Sequence, residues 1–468
     1  MARKWWTLIA VCTATFMLLL DITIVNVALP AIQRALKASF SDLQWVVDAY
    51  ALGLATCVLT AGALADLFGR KRLFLLGIAL FTAASAACGL AFDPLFLIIA
   101  RGIQGIGGAM MFATALALLS QEFHGRERGT AFGLWGAVIG AAVAIGPLAG
   151  GMLTSWLSWR WIFLVNIPIG AAAIVFGARQ LRESSDPEQS RLDPPGVVTF
   201  TVGLFCLILA LIEGNDHGWS SAFIVALLVA AVVALSAFVA TQARDGATMI
   251  DLALFRRPAF VGAQVTAFAI SSSMFAMFLY LTLYLQNILG LSPLETGVRF
   301  LPLSVVSFFA APLAGRLSAQ VPIRALLAFG LALNALAMLL MSRVDTGSHW
   351  TVLLPGFVLA GVGIGFVNAP LATTAVSTVA VQRAGMASGI NNTFRQVGIA
   401  TGIAALGAIF ASKVGDQHSR AAFVHGLHDI LLVGAGVAAI GAVLAGLLVR
   451  RQDFVASGPP PQAEAQTS

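Results

Sequence analysis

Apolar runs of about 20 residues recur from Leu8 to Val449, separated by short polar breaks. A helix rising ~1.5 Å per residue needs roughly 20 apolar residues to cross the hydrocarbon layer, so each run reads as a membrane span. The runs are too long and too uniformly apolar for the alternating ~10-residue strands of a membrane barrel, and their many Gly and Ala residues suit close helix packing in lipid. The pattern predicts an all-α integral membrane protein with about 14 transmembrane helices. They are expected near 7–29, 46–65, 73–91, 95–118, 131–153, 161–178, 196–213, 219–240, 259–285, 297–315, 322–341, 351–375, 396–412 and 429–449.

The breaks suggest how the chain is divided. The longest polar stretch between spans, RQLRESSDPEQSRLDPP at 179–195, and a second connection at 241–258 bracket two helices. The natural parse is an N-terminal six-helix bundle (1–180), a linker with an inserted helix pair (181–258) and a C-terminal six-helix bundle (259–451), followed by a polar, Pro-rich tail (452–468) expected to be disordered. Within the second connection, MIDLALF at 249–255 with Arg256 and Arg257 is expected to lie on the membrane surface as a short amphipathic helix.

Composition agrees with lipid as the solvent: 59% of the 468 residues are hydrophobic and 10% charged, too little polar surface for a water-soluble domain of this size. The net charge of +6 is accounted for by topology, because Lys and Arg crowd the loops that lie inside if both termini are cytoplasmic. A nucleic-acid partner is therefore not expected. The N-terminal Met1-Ala-Arg-Lys opens a run reaching about Leu29, read as an uncleaved first span. Cys12, Cys57, Cys88 and Cys206 all fall inside apolar runs and are expected as free thiols. The six histidines sit in breaks or at segment ends; His425 and His428 are expected in an exposed loop, and no metal set or cofactor site is expected. No nucleophile–base pair points to an enzyme.

Chemistry enters with a few motifs. The loop after the second span reads Gly62-Ala-Leu-Ala-Asp66-Leu-Phe-Gly69-Arg70-Lys71-Arg72. Glycines permit a tight turn and close approach, and Asp66 can accept hydrogen bonds from a neighbouring helix N-terminus or from an Arg. The segment resembles the loop motif of the major facilitator superfamily, G-x-L-a-D-x-x-G-R-K/R. The resemblance implies the major facilitator fold and a conformational latch made of Gly62, Asp66, Gly69, Arg70 and Lys71. Leu67 stands where that motif often carries a basic residue, so one arm of the usual charge network is missing. A loop that only sets topology is the alternative.

In the fourth span, Arg101-Gly-Ile-Gln104-Gly105 resembles the superfamily's R-x-x-Q-G motif. An Arg in a span costs roughly 2.5–3.5 kcal/mol on insertion scales and needs a partner. Asp21 is the candidate: it lies roughly 12 Å below the outer end of the first span and Arg101 roughly 9 Å below the outer start of the fourth, so their depths match. Asp21 sits in Leu20-Asp21-Ile-Thr-Ile-Val-Asn26-Val-Ala-Leu-Pro30, which resembles the first-helix motif of the fourteen-span drug:proton antiporters. Dehydration favours the protonated acid and a nearby guanidinium favours the ionised one, so movement between those surroundings can load and release a proton. Asp21 with Arg101 is the expected proton-coupling pair; a static ion pair that only ties helices together is the alternative. Asp48 and Glu213 are expected at the outer mouth.

The fifth span, with Gly136, Gly140, Gly146, Pro147, Gly150 and Gly151, can pack closely and bend. It resembles the antiporter motif ending in G-P-x-x-G-G, which implies export, assigned to Gly140, Gly146, Pro147, Gly150 and Gly151. Trp159-Arg160-Trp161-Ile-Phe163-Leu-Val-Asn166-Ile-Pro168 is similar to the entrance to the sixth span of the same group. Softer matches follow at Gln286–Pro302 and Gly389–Gly398. Candidates for the substrate cavity are Asn26, Gln104, Phe275, Phe278, Tyr280, Tyr284, Asn334, Asn368 and Gln396. No Asp or Glu occurs between Gly297 and Val344 or between Thr346 and Gly415, so the second bundle lacks the acids that exporters of dications place there.

The resemblance implies export of small amphipathic drugs or antibiotics in exchange for inward protons, by a monomer in a bacterial cell membrane. A proton-independent facilitator or importer of a metabolite, and a non-transporting membrane sensor or scaffold, are the competing readings.

Overall fold

The computed structural model describes residues 3–185, 193–243, 250–379, 383–414 and 419–450. Its helices are α1 (Arg3–Leu36), α2 (Phe40–Phe68), α3 (Arg70–Gly89), α4 (Pro94–Glu122), α5 (Gly125–Trp156), α6 (Trp161–Leu164), α7 (Asn166–Gln180), α8 (Pro194–His217), α9 (Ala222–Gln242), α10 (Pro258–Leu283), α11 (Pro293–Leu317), α12 (Ile323–Met341), α13 (Leu354–Ser377), α14 (Ala384–Val414) and α15 (Arg420–Leu448). Twelve stretches among the described residues are long and apolar enough to cross a bilayer, α6 and α7 counting as one. At 32 and 26 residues, α5 and α10 are long enough as well.

Local chemistry sets the helix starts. Ser39 and Ser292 each cap a helix and receive a carboxylate in return, from Asp42 and Glu295, closing reciprocal boxes at the N-termini of α2 and α11. Asp93 and Asp193 cap α4 and α8, each followed by a proline at the first helical position, where its missing N–H costs nothing.

Helix α9 is apolar all round and exposes Val229, Val232, Val233 and Val239, the surface expected of a span that faces lipid. It packs mainly on α8, which also reaches α2 and α14. One core gathers residues of α10–α15, and separate cores tie α1–α4 to α5–α7. The two sets meet where α5 runs beside α11 and α13, and where α2 runs beside α14.

Several expectations need correction. Helix α14 begins at Ala384, not near 396. Its early turns carry Ser388, Asn391, Asn392 and Thr393, which depress hydropathy, yet these side chains are buried against other helices and do not end the span. Helix α15 begins at Arg420, capped by Ser419, not near 429, so His425 and His428 lie on a helix and not in a loop; His428 Nδ1 is 2.9 Å from the Ser342 carbonyl. The surface helix expected over 249–255 is, in its described part, a single 3-10 turn, Leu252–Arg256, capped by Asp251. Ile250 and Leu254 are buried in a core shared with Phe200 and Phe260, so the segment is tucked inward. The tail at 452–468 lies outside the described residues.

Candidate functional site

Asp21 on α1 is the centre of a polar cluster drawn from four helices. Arg101 and Gln104, three residues apart, share a face of α4. Arg101 Nη1 donates to Asp21 Oδ2 at 2.5 Å and to Gln104 Oε1 at 2.8 Å. Asp21 Oδ1 accepts from Gln104 Nε2 at 2.9 Å and from Asn166 Nδ2, on the first turn of α7, at 3.0 Å. Both amides also donate to Ser85 Oγ on α3, whose own hydroxyl donates to the Phe163 carbonyl. The Asp21 side chain is 0% exposed and that of Arg101 1%, so the pair is buried in this conformation. A buried ion pair survives only when most of its remaining valences are met, and both Asp21 oxygens and the Arg101 Nε and Nη1 have partners here. Arg101 Nε donates to the Val46 carbonyl at 3.0 Å, and its guanidinium lies 4.2 Å from the Tyr50 ring centroid. Gln104, expected in the cavity, belongs to this cluster instead.

The loop after α2 closes a second set of contacts. Asp66 Oδ1 receives Arg70 Nε and Nη2 at 2.9 and 2.8 Å, while Oδ2 accepts the backbone N–H of Met386 at 2.7 Å. Met386 lies in the first turn of α14, where N–H groups lack helical partners and the dipole favours an anion. A Cβ on Gly62 would stand 2.6 Å from the Gly385 carbonyl, so only glycine lets α2 approach this closely. Gly69 turns the chain at φ 109°, and a side chain there would meet the Glu183 carboxylate. Glu183 accepts the backbone N–H groups of Lys71 and Arg72 at 3.0 and 3.1 Å and caps α3, and Lys71 Nζ donates to the Ala178 carbonyl at 2.7 Å. The end of the molecule that carries this loop is called the basic end below.

Helix α5 connects the two sets. At the basic end Gly129 faces Gly315 of α11, and a Cβ on Gly133 would stand 2.8 Å from Pro312 Cα. Gly136 lies against Ala311 and Asn368, and Gly140 against Ser307. Toward the other end, Gly146 and Gly150 receive Thr23 and Ile24, two and three residues beyond Asp21 on α1. A Cβ on Gly151 would stand 3.9 Å from Leu294. One helix thus touches both the Asp21 segment and the opposite helix set, and at Gly129, Gly133, Gly146 and Gly150 an added Cβ would clash. The helix is continuous through residue 147, although the side chain of Pro147 lies outside the described residues.

The remaining cavity candidates separate. The side chains of Asn26 and Phe275 lie outside the described residues. Tyr284 is fully buried and donates its hydroxyl to the Asp345 carbonyl; Tyr280 packs on Phe410 at 4.6 Å; Phe278 packs on Phe300 at 5.3 Å. Asn334 donates to Gly330 of its own helix at 2.9 Å. Tyr284 and Asn334 therefore sit buried within α10–α15 and not on an open surface. Gln396 is half-buried, and Asn368 accepts a hydrogen bond from Arg395 Nη2 at 2.5 Å. Ser85, Tyr50 and Glu183 were not singled out from sequence, and Asn166 only as part of the sixth-span entrance motif and not as a partner of Asp21. Ser85 and Asn166 are polar residues in or at apolar spans, a signal that was available; Glu183 lies in a polar loop and gave none.

A model of the Major Facilitator Superfamily matches residues 11–403. This chain belongs to that superfamily. It is 38% identical over 407 residues to the multidrug resistance protein Stp of Mycobacterium tuberculosis, covering 87% of this chain and 76% of that one. It is 37% identical over 462 residues to the puromycin resistance protein pur8 of Streptomyces alboniger, covering 96% and 92%. The crystal structure of the human organic anion transporter MFSD10 superposes with a TM-score of 0.68 at 15% identity, covering 95% of this chain and 100% of that one, a likeness of fold.

Proposed function

We propose that this protein is a secondary active transporter that exports small amphipathic drugs or antibiotics from a bacterial cell in exchange for inward protons, with Asp21 as the coupling acid. In this reading it acts as a monomer, the basic end and both termini face the cytoplasm, and the bundles divided near residues 180 and 258 rock against each other. The observation that carries the coupling is the path along α5, whose Gly146 and Gly150 hold the Asp21 segment while Gly129, Gly133 and Gly140 hold α11. Export is supported by the resistance named for both bacterial relatives and by the G-P-x-x-G-G end of the fifth span.

The cluster suits a proton cycle. Protonating Asp21 cancels one charge of the pair, and Arg101 then still holds Val46, Gln104 and the Tyr50 face, so the cation stays satisfied while α1 is released. All of the acid's partners lie on α4 and α7, within its own bundle, so rocking alone does not break the pair; the proton does. A shift of α1 at Thr23 and Ile24 then passes through α5 to α11. The latch at Asp66 holds the basic end shut while Asp21 is ionised. One proton moving down ~100 mV supplies about 2.3 kcal/mol, enough for roughly fifty-fold accumulation.

Reconstituted vesicles with an imposed pH gradient and a lipophilic dye test this. Wild type accumulates the dye against its gradient, and Asp21→Asn loses accumulation while keeping downhill exchange. Uphill pumping that survives the substitution removes Asp21 from the role, and downhill movement indifferent to pH favours a facilitator.

A further inference from the structure

Arg395 lies 11 residues into the 31-residue α14, well inside the span, and the role assigned to Asp21 does not use it. Its hydrogen bond in the structure goes to a neutral group, the Asn368 amide oxygen. No salt bridge to it is found among the described residues, and the surrounding sequence explains why: α10–α15 hold no Asp or Glu apart from Glu295 in the first turn of α11 and Asp429, nine residues into α15 and paired with Lys413. The side chain is half-buried although the residue sits deep in the helix set, and among the described residues only its Nη2 is engaged, by Asn368. An intramembrane cation with no counter-charge is costly, and it is kept where a ligand supplies that charge.

The position is where a substrate would pass. Asn392, one turn nearer the basic end on α14, donates to the Phe112 carbonyl of α4 across the interface. Asn368 lies against Gly136 of α5, so its level is also at the interface. One turn further from the basic end, Ser307 lies against Gly140 and its buried hydroxyl has no partner. A fork of donors of which one is engaged, and that by a neutral amide, with an unpaired hydroxyl one turn away along the interface, fits a carboxylate better than an ammonium group.

We propose that the exported compounds are amphipathic organic acids whose carboxylate docks on Arg395 beside Asn368, at the level where the two helix sets meet. The proposal rests on the export reading but names its substrate class. An anion leaving a cell that is negative inside moves with the membrane potential, so export of such a compound is assisted electrically as well as by the proton.

The test is binding without a gradient. Detergent-solubilised full-length protein is titrated with 2-naphthoate, 2-naphthamide and 2-naphthylmethylammonium, following the melting temperature and intrinsic tryptophan fluorescence. Wild type is expected to bind the acid at least about tenfold more tightly than the amide, with the cation weakest. Arg395→Gln is expected to bring acid and amide to parity by weakening the acid far more than the amide, with the ligand-free melting temperature close to that of wild type, and Arg395→Lys is expected to restore part of the preference. Equal binding of acid and amide by wild type, no binding of the acid, or an acid preference that persists in Arg395→Gln would each overturn the proposal. None of these readouts depends on pumping, so a failure here is separable from a failure of proton coupling at Asp21.

Discussion

The two helix sets treat an intramembrane arginine in opposite ways. In the first, Arg101 is closed over by Asp21, Gln104, Val46 and Tyr50, and the Asp21 carboxylate is met in turn by Gln104 and Asn166. In the second, Arg395 reaches a neutral amide and no acid. The first arrangement has its counter-ion built in, so the event that changes it is gain or loss of a proton. The second lacks one, so the event that changes it is arrival of an anion. One fold thereby separates the driving ion from the cargo, with α5 touching both neighbourhoods, at Thr23 and at Asn368.

The comparison predicts unequal costs. Arg101→Ala leaves Asp21 buried without its counter-charge and should lower stability by about 3–5 kcal/mol, read as melting temperature in detergent. The double variant Asp21→Asn with Arg101→Gln should recover most of that loss. Arg395→Gln breaks no ion pair and should cost about 1 kcal/mol or less. Similar losses for Arg101→Ala and Arg395→Gln would erase the distinction.

A smaller effect is expected at the latch. Asp66→Asn removes the charge that faces Arg70 and the α14 N-terminus and should weaken closure by about 1.5–3 kcal/mol, seen as a wider distance between spin labels on α2 and α14 at the basic end. Gly62→Val or Gly315→Val should act in the same direction by overpacking, at about 1–3 kcal/mol. If distances at the basic end stay unchanged in these variants, the bundles do not close on these contacts. Below the latch effects, Ser39→Ala and Ser292→Ala remove matched caps from α2 and α11 and should each cost about 1 kcal/mol in melting without altering the ratio of uphill to downhill transport.

Much of this architecture is legible in the sequence because lipid imposes a length rule on every span, and because charges in a span demand partners at matching depth. Matching depth, together with the motifs that hold both residues, paired Arg101 with Asp21, and a helix N-terminus or an Arg was the expected donor to Asp66. Rotation of each helix about its axis is not written locally, and the misses share that cause. Asn391 and Asn392 look like the end of an apolar run until they are seen buried against other helices, so the start of α14 was placed about three turns late. Tyr284 and Gln104 have the chemistry of cavity residues, but their helices turn the first into a core and the second toward Asp21. Glu183 finds the start of α3 across more than a hundred residues, a contact made by packing of α7 on α3 and not by any local pattern.

The account stands on Asp21 controlling the basic end by its protonation, and the direct measurement is the spin-label distance between α2 and α14 there as pH is lowered. Wild type should shift toward the wider distance as Asp21 takes up its proton, and Asp21→Asn should hold the wider distance at every pH. A pH response in Asp21→Asn equal to that of wild type would contradict it.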